Sequence, residues 1–299
     1  MENEKSIDSV AGKMMSACTL CPRECHVDRS SGKKGFCGMD GTIYLARAAL
    51  HMWEEPCISG TKGSGAVFFS GCGLRCCFCQ NHDIAIGSRG LAVSVERLGE
   101  IFLELKEKSA ANINLVTGAH YVPQIIKALN LARMQGMDLP VVYNSSGYEK
   151  LETLKLLEGY VDIYLPDLKY MEPDLAQKFS HAPDYVERAK AAIKEMVRQS
   201  GSCQFGEDGY IRRGTIVRHL ILPGHTKNSR KVLRYLHETY GEDPYLAGVL
   251  GTAFVKGMQG DGKYRKTDAT LKHFAVHSGP EGIRHSFNSV VSEKDLRET

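Results

Sequence analysis

The sequence predicts an α/β protein whose core is a parallel sheet covered by helices. From residue 66 onward, short apolar runs typical of strands alternate with longer amphipathic runs typical of helices. Such alternation implies parallel strands joined by helical crossovers, in either a partial barrel or an open doubly wound sheet. The predicted strands span residues 66–70, 113–117, 140–144, 161–165, 215–222 and 245–250. The predicted helices span residues 94–109, 122–136, 149–158, 173–200 and 229–240.

The first predicted helix shows the pattern clearly. Leu98, Ile101, Phe102 and Leu105 recur at intervals of three and four residues, which places them on one face of a helix. Ser94 precedes this run and is a suitable N-cap, because its side chain can accept a hydrogen bond from the first turn.

The later helices follow the same rule. The second is expected to end at Gly136, and the fourth is expected to break near Pro183. Inward-facing apolar residues mark the third and fifth helices, namely Leu151, Leu154, Leu157, Val232, Leu233 and Leu236.

Composition excludes several classes of protein. The 299 residues, 42% of them hydrophobic, are enough for one α/β barrel with a sizeable core. The 38 basic and 35 acidic residues leave a net charge of +3, which gives no indication of a nucleic-acid partner. No apolar stretch approaches the ~20 residues of a membrane span, and no secretory signal follows the polar N-terminus. A cytoplasmic protein with no membrane association is therefore expected.

Ten cysteines in a cytoplasmic chain favour metal or redox chemistry over disulfides. Cys72, Cys76 and Cys79 have the spacing C-x3-C-x2-C directly after the first predicted strand. A tight loop with this spacing can direct three thiolates at one face of an iron–sulfur cube, whereas cuboidal clusters normally take four cysteines. The fourth iron would then stay open for chemistry. Cys77 lies between two of these residues and is expected to point away from them.

A second cysteine set lies closer to the N-terminus. Cys18, Cys21, Cys25 and Cys37 have the spacing C-x2-C-x3-C-x11-C. Four thiolates suit either a zinc ion or an iron–sulfur cluster, so the set predicts a zinc knuckle or a second cluster, with free thiols as a third alternative. The chain is expected to comprise a small Cys-rich N-terminal module at residues 1–63 and a core at residues 64–250, followed by a C-terminal segment at 251–299.

Polar side chains follow the predicted strands at their carboxyl ends. Because the carboxyl ends of parallel strands meet at one edge, these side chains are expected to line one mouth together with the three-cysteine loop. Strand alternation makes Arg218 and His219 face opposite sides, and Arg218 is expected to face inward. The candidate residues are Thr117, Asn144, Ser146, Asp167, Lys169 and Arg218.

The three-cysteine loop resembles the signature of the radical S-adenosylmethionine (SAM) superfamily, in which an aromatic residue commonly occupies the position of Phe78. The resemblance covers roughly residues 15–245 and extends to the pyruvate formate-lyase activating enzyme-like branch. The motifs that resemble this branch are Cys21-Pro22-Arg23, Gly71-Cys72-Gly73-Leu74, Cys79-Gln80-Asn81, Tyr143-Asn144-Ser145-Ser146-Gly147-Tyr148, Leu165-Pro166-Asp167 and Arg218-His219-Leu220-Ile221-Leu222-Pro223-Gly224.

The resemblance implies a partial (β/α)6 TIM-like barrel and a 4Fe–4S cluster held by Cys72, Cys76 and Cys79, with SAM bound to the open iron. In this family one electron cleaves the sulfonium–C5′ bond of SAM, and the resulting 5′-deoxyadenosyl radical abstracts a hydrogen atom from a substrate. The resemblance also implies an electron donor of the flavodoxin or ferredoxin type, and a protein substrate that could receive a glycyl radical.

The resemblance further suggests how the ends of SAM are bound. The family's Gly-Gly-Glu-like segment at the second strand end reads Thr117-Gly118-Ala119-His120 here, without the acid. Thr117 or backbone carbonyls are therefore expected to bind the SAM amino group. Arg218 is a candidate partner for the SAM carboxylate, because a guanidinium suits a carboxylate.

Four other residues have two alternative roles each. Asn144 and Ser146 are candidates for the ribose hydroxyls, or they cap a turn. Asp167 and Lys169 contact SAM or substrate, or they form a local ion pair. Three further residues are expected to pack in the core or in a lid rather than to contact a cofactor, namely Met52, Trp53 and Tyr121.

Two alternatives to a glycyl-radical activating enzyme stay open. One is a radical SAM enzyme that acts on a small molecule or a peptide. The other is a non-catalytic protein in which both cysteine sets hold structural zinc. After about residue 245 the sequence no longer resembles the family, and residues 251–299 are expected to form a divergent, loose segment.

Overall fold

The computed structural model describes residues 12–240 and 250–251. Most of the predicted strand 245–250 and of the segment 251–299 lies outside the described residues. The strands are β1 (Ile43–His51), β2 (Ser64–Phe69), β3 (Leu91–Val93), β4 (Ile113–Val116), β5 (Val141–Ser145), β6 (Ile163–Pro166), β7 (Gln204–Phe205), β8 (Ile211–Thr215), β9 (Arg218–His219) and β10 (Leu250–Gly251). The helices are α1 (Pro56–Ser59), α2 (His82–Ala85), α3 (Val95–Glu107), α4 (Val122–Met134), α5 (Leu151–Leu156), α6 (Pro173–Ser180), α7 (Tyr185–Ser200) and α8 (Thr226–Tyr240).

The sheet has the order β3-β1-β2-β4-β5-β6-β8-β7. β2, β4, β5, β6 and β8 are parallel neighbours. β9 begins three residues after β8 ends and pairs in parallel with β10, and a bridge between Asp167 and Arg218 joins it to the end of β6. If β8 and β9 are counted as one interrupted strand, the parallel series from β2 to β10 has six members. The predicted α/β class and partial-barrel topology are confirmed.

The prediction of one continuous strand over residues 215–222 is wrong. β8 ends at Thr215, and β9 contains two residues. Val217 and Leu222 are buried in a hydrophobic cluster beneath the mouth, although neither belongs to a strand. The apolar run at residues 215–222 has the pattern of a longer strand, but its side chains are apolar because they are buried and not because they lie in paired strands.

β1 adds an antiparallel strand to the barrel sheet. This nine-residue strand pairs with β2, with an irregularity between Leu45 and Arg47. The chain then enters α1, where Ile58 packs against the inward-facing Val142 and Ile163. β1 and α1 therefore belong to the barrel sheet and its interior, although both lie within the predicted module at residues 1–63.

Two helix features lie where the sequence predicts them, but α5 covers Leu151–Leu156 rather than 149–158, and Leu151 and Leu233, expected to face inward, are exposed. The Ser94 hydroxyl accepts a hydrogen bond from the backbone nitrogen of Arg97, which caps α3. The predicted helix at 173–200 is divided into α6 and α7, with Pro183 in the break. α3 and α4 pack on the outer face of the sheet, and burying a leucine of this interface contributes about 1.5–3 kcal/mol.

Glu149 is a buried acid just after β5. It is 3% exposed, and the Tyr143 hydroxyl donates to its Oε2 at 3.2 Å. Burial raises the pKa of Glu149 to about 7, although hydrogen bonds from Tyr143 and Ser145 partly oppose the shift. The folded protein therefore keeps a proton on Glu149 at a pH where the unfolded chain would have lost it.

Replacing Glu149 with Gln should remove a pH-dependent part of the stability. Because the folded-state pKa lies above the ordinary value of 4.5, the contribution is present at low pH and is lost as pH rises through about 7. Between pH 5 and pH 8 the wild type should lose up to about 3 kcal/mol more than Glu149→Gln, measured from chemical denaturation midpoints. Glu152→Gln, at an exposed position of α5, is the matched control. Parallel pH profiles for wild type and Glu149→Gln would contradict this prediction.

Candidate active site

A cavity of about 470 Å³ lies at the carboxyl ends of the parallel strands. The three-cysteine loop lines one side, and residues at the ends of β4, β5, β6 and in β9 line the other. The structure brings together all nine residues that the sequence placed at this mouth. They are Cys72, Cys76, Cys79, Thr117, Asn144, Ser146, Asp167, Lys169 and Arg218.

The loop after β2 turns sharply to reach the cavity. Gly71 has φ 87°, and a Cβ there would lie 2.4 Å from Met39 Cγ and 2.8 Å from the Cys37 carbonyl oxygen. Only glycine fits both the left-handed conformation and the close approach. Leu74 is 1% exposed and anchors the loop in the hydrophobic cluster beneath the mouth.

The three thiols lie close enough to influence one another. Burial raises the pKa of Cys76 to about 11, and Cys72 and Cys79 raise it further, while Lys169 and a hydrogen bond from Ser180 lower it. Burial also raises the pKa of Cys79. As free thiols, Cys76 and Cys79 stay protonated at neutral pH, so bound metal is needed to hold them as thiolates.

Two hydrogen bonds reach these sulfurs from the surrounding structure. The Ser180 hydroxyl donates to Cys76 Sγ at 3.0 Å, and the Leu74 backbone nitrogen lies 3.4 Å from Cys72 Sγ. Cys77 is exposed, with its backbone nitrogen bonded to the Phe179 carbonyl at 2.8 Å. The loop thus separates Cys77 from the three thiols at the cavity.

Arg23 ties the N-terminal cysteine region to this loop. Its Nε donates to the Gly73 carbonyl at 2.8 Å, and Nη2 donates to the Ser180 carbonyl at 2.8 Å. Nη1 bonds the His181 carbonyl, so the same side chain also holds the end of α6. The guanidinium lies 4.2 Å from the centre of the Phe36 ring, which adds a cation–π contact.

A charged network forms the opposite wall. Asp167 bonds Lys169 at 2.5 Å and Arg218 at 3.0 Å. Burial raises the pKa of Asp167, but the two cations outweigh it and hold that pKa below its usual value. The pKa of Lys169 is raised because Asp167 outweighs the opposing effect of burial. Both partners are therefore ionised at neutral pH, and the predicted ion pair lines the cavity.

The Arg218 guanidinium contacts three side chains. Besides Asp167, its Nη2 donates to Asn144 Oδ1 at 2.6 Å, and its Nη1 lies 3.5 Å from Glu54 Oε2. Asn144 is therefore a partner of Arg218 rather than a turn cap. The ring of His219 bonds the Leu168 carbonyl and the Ser229 hydroxyl, as expected for a neighbour that faces the other side of the strand.

Thr117 has an unusual backbone. Its φ is 61°, a left-handed conformation that β-branched residues rarely adopt, and it lines the cavity. The backbone nitrogen of Thr117 donates to the Asn144 carbonyl at 2.9 Å, which helps to hold this conformation. Strain of this kind is concentrated at functional sites.

Sequence reasoning missed several residues of the site. Glu54 reaches Arg218 from the segment after β1, and Trp53, expected to be a packing residue, is 46% exposed and lines the cavity. Met52 is also exposed, whereas Tyr121 is fully buried as expected. No local pattern marks Glu54, because its role depends on contact with a residue 164 positions away.

The four-cysteine set lies beside the loop. Cys18, Cys21 and Cys37 are buried, and burial raises the pKa of Cys21 to about 12, with Cys37 and Cys18 adding to the effect. A Cβ on Gly73 would lie 3.3 Å from Cys21 Sγ, so the Cys21 sulfur lies beside the three-cysteine loop. Burial raises the pKa of Cys37, and the neighbouring Cys18 and Cys25 add to the shift.

Within residues 12–240, no three His, Cys, Asp or Glu side chains converge closely enough to hold a single metal ion. A site for a single metal ion differs from an iron–sulfur cube, in which each cysteine binds a different iron and the cysteine sulfurs lie farther apart. None of the described helices is both long enough and apolar enough to cross a membrane.

Comparison with known proteins identifies the family. Residues 66–236 match the model of the radical SAM superfamily, so the chain belongs to this superfamily. The uncharacterized protein MJ0674 of Methanocaldococcus jannaschii is 27% identical over 226 residues, which cover 72% of this chain and 60% of that protein. The chain thus spans less than two thirds of the length of this relative.

Two other similarities are more limited. The xylan 1,4-beta-xylosidase of Xylanibacter ruminicola is 58% identical over 65 residues, which make up 21% of this chain and 8% of the xylosidase. A solved structure, native anSMEcpe with bound AdoMet, matches with a TM-score of 0.41 and 12% identity, covering 58% of this chain and 47% of that one.

Replacing Arg23 with Met should loosen the cluster loop. The variant loses the hydrogen bonds to the loop and to the end of α6, worth about 1–3 kcal/mol to a charged donor. A lower melting temperature is expected, as is a severalfold smaller iron content after anaerobic reconstitution and desalting. Arg188→Met removes an exposed arginine of α7 and serves as control. Equal iron content and melting temperature in the two variants would show that Arg23 does not position the loop.

Proposed function

We propose that this chain is a radical SAM enzyme that binds a 4Fe–4S cluster through Cys72, Cys76 and Cys79 and abstracts a hydrogen atom from its substrate. One observation carries the proposal: three thiols and the polar side chains of four strand ends face a single cavity. The donor set fits the cofactor, because thiolates are the usual ligands of iron–sulfur clusters and three of them leave one iron for SAM.

When bound, the cluster supplies the electron that cleaves the sulfonium–C5′ bond of SAM. The protein's own residues hold the thiols, orient SAM and exclude water. The hydrogen bond from Ser180 to Cys76 Sγ favours the thiolate form of Cys76, because a donor stabilises negative charge on sulfur. Phe78 lines the cavity and packs at 6.0 Å against the Phe179 ring, which shields this side from solvent.

Arg218 is the proposed partner of the SAM carboxylate. Its contact with Glu54, at 3.5 Å, is the longest of its three side-chain contacts, so an incoming carboxylate would replace Glu54. Lys169 adds a second cation and Asp167 keeps both in place. Two cations facing one carboxylate fit the charge of the methionine end of SAM.

Asn144 and Ser146 are the proposed ligands of the SAM ribose. The Oδ1 atom of Asn144 already accepts from Arg218, which leaves its Nδ2 as a donor to a hydroxyl. Thr117 and the carbonyls around it are proposed to bind the SAM amino group, since the acid that the family commonly has at this strand end is absent from Thr117-Gly118-Ala119-His120. The strained conformation of Thr117 favours a direct role of its backbone.

The finer proposal is an enzyme like the pyruvate formate-lyase activating enzyme, which would place a glycyl radical on a protein partner. Motif resemblance supports it, including Cys21-Pro22-Arg23, whose arginine contacts the cluster loop. The half-exposed Trp53 at the cavity offers an apolar surface to a peptide segment. The proposed electron donor is of the flavodoxin or ferredoxin type, and the proposed location is the cytoplasm.

The four-cysteine set is proposed to hold a second iron–sulfur cluster within the module at residues 1–63. The alternative, a zinc ion, is less favoured because zinc needs the thiols to converge on one atom, and those of the described residues do not. The support for the second cluster is the proximity of Cys18, Cys21, Cys25 and Cys37, whose thiols affect one another electrostatically. A centre at this place would lie beside the cluster loop, because the Cys21 sulfur is close to Gly73.

The paired variants Cys76→Ala and Cys77→Ala test the proposed function. Cys76→Ala should abolish SAM cleavage by the anaerobically reconstituted, reduced protein, because the cluster loses one of three ligands. Cys77→Ala should keep the rate within about twofold of wild type, because Cys77 is exposed. A colourless wild-type protein that retains only zinc would contradict the enzyme and favour the non-catalytic alternative.

A further inference from the structure

A fully buried arginine lies among the four cysteines. Arg29 is 0% exposed and sits in a short turn that follows the N-cap residue Asp28. Its Nη1 atom lies 3.9 Å from Cys18 Sγ and 3.8 Å from Met15 Sδ. A guanidinium stays protonated at any physiological pH, so its positive charge must be accommodated inside the protein.

The hydrogen bonds of Arg29 satisfy its donors without neutralising its charge. Nε donates to the Met39 carbonyl at 3.1 Å, Nη2 to the Asp40 carbonyl at 2.6 Å and Nη1 to the His120 carbonyl at 2.6 Å. The guanidinium also lies 5.4 Å from the centre of the Tyr121 ring. Every one of these partners is electrically neutral.

No carboxylate of the described residues forms a salt bridge with Arg29. Asp40 offers its backbone carbonyl, while its carboxylate accepts from the Thr42 backbone nitrogen at 2.8 Å. A buried charge without a counter-charge costs several kcal/mol. Among the groups in contact with Arg29, the thiol of Cys18 is the one that metal binding would convert to an anion.

We infer that Arg29 is the buried counter-cation of an anionic metal–thiolate centre formed by Cys18, Cys21, Cys25 and Cys37. Metal binding displaces the thiol protons. Four thiolates around a 4Fe–4S cluster carrying two positive charges leave a net charge of about −2. The single positive charge of Arg29 offsets part of this negative charge. The inference rests on the second centre proposed above for the four cysteines.

The effects of the charge of Arg29 and of its hydrogen bonds can be measured separately with two substitutions. Arg29→Lys keeps the charge with fewer donors, whereas Arg29→Gln keeps donors without the charge. Both are made in a full-length chain in which Cys72, Cys76 and Cys79 are Ala, so that metal is counted at the four-cysteine set alone. The readouts are zinc, iron and sulfide per chain after anaerobic loading, and the rate of metal release to a chelator.

The parent chain should hold about four iron ions. Arg29→Gln should release metal at least about tenfold faster, and Arg29→Lys should stay closer to the parent. Unchanged release in Arg29→Gln, or equal acceleration in both variants, would overturn the counter-cation. A parent chain without metal would overturn the second centre itself. SAM cleavage by the chain with an intact loop is measured separately and reports on the proposed enzyme activity.

A second pair of variants leaves Arg29 in place. Met15→Glu puts a carboxylate beside the guanidinium, and Met15→Gln is its neutral control. With metal removed, Met15→Glu should melt at a higher temperature than Met15→Gln, because the new carboxylate replaces the lost counter-charge. With metal bound, this difference should shrink or reverse. An equal or lower melting temperature of metal-free Met15→Glu would contradict the inference.

Discussion

The grouping of three thiols at a barrel mouth is the constraint on which the rest of the site depends. Burial favours the neutral thiol, so Cys76 and Cys79 need a cation to become thiolates. The loop can bring the thiols together because Gly71 tolerates the close approach of Met39. Lys169 supplies positive potential from the opposite wall, and Asp167 fixes that lysine in place.

The two cysteine sets form one continuous region of the molecule. The Cys21 sulfur lies beside Gly73 of the loop, and Arg23 bonds the Gly73 carbonyl, so Arg23 links the N-terminal cysteine region directly to the loop. Arg29 extends this connection, because it bonds the His120 carbonyl while the His120 ring bonds the Ser70 carbonyl at 2.8 Å, directly before the loop. The N-terminal cysteine region therefore supports the loop on which the proposed chemistry takes place.

Periodicity and topology predicted what depends on local sequence. The helix at Ser94, the break at Pro183 and the shared mouth of the strand ends follow from capping, chain stiffness and parallel pairing. The sequence did not reveal contacts between distant positions, such as Glu54 with Arg218 or Arg23 with the loop. Those contacts depend on how β1 and the N-terminal cysteines pack against the barrel, which no local pattern encodes.

Electron paramagnetic resonance of the anaerobically reconstituted, reduced protein tests the central claim most directly. If three thiolates of the loop leave one iron open, adding SAM should change the signal of the reduced 4Fe–4S cluster, because SAM binds that iron. In a chain with Ala at Cys18, Cys21, Cys25 and Cys37, the same change should persist, since the loop provides its own three ligands. A cluster signal that SAM leaves unchanged, or the absence of any cluster in the wild type, would contradict the account.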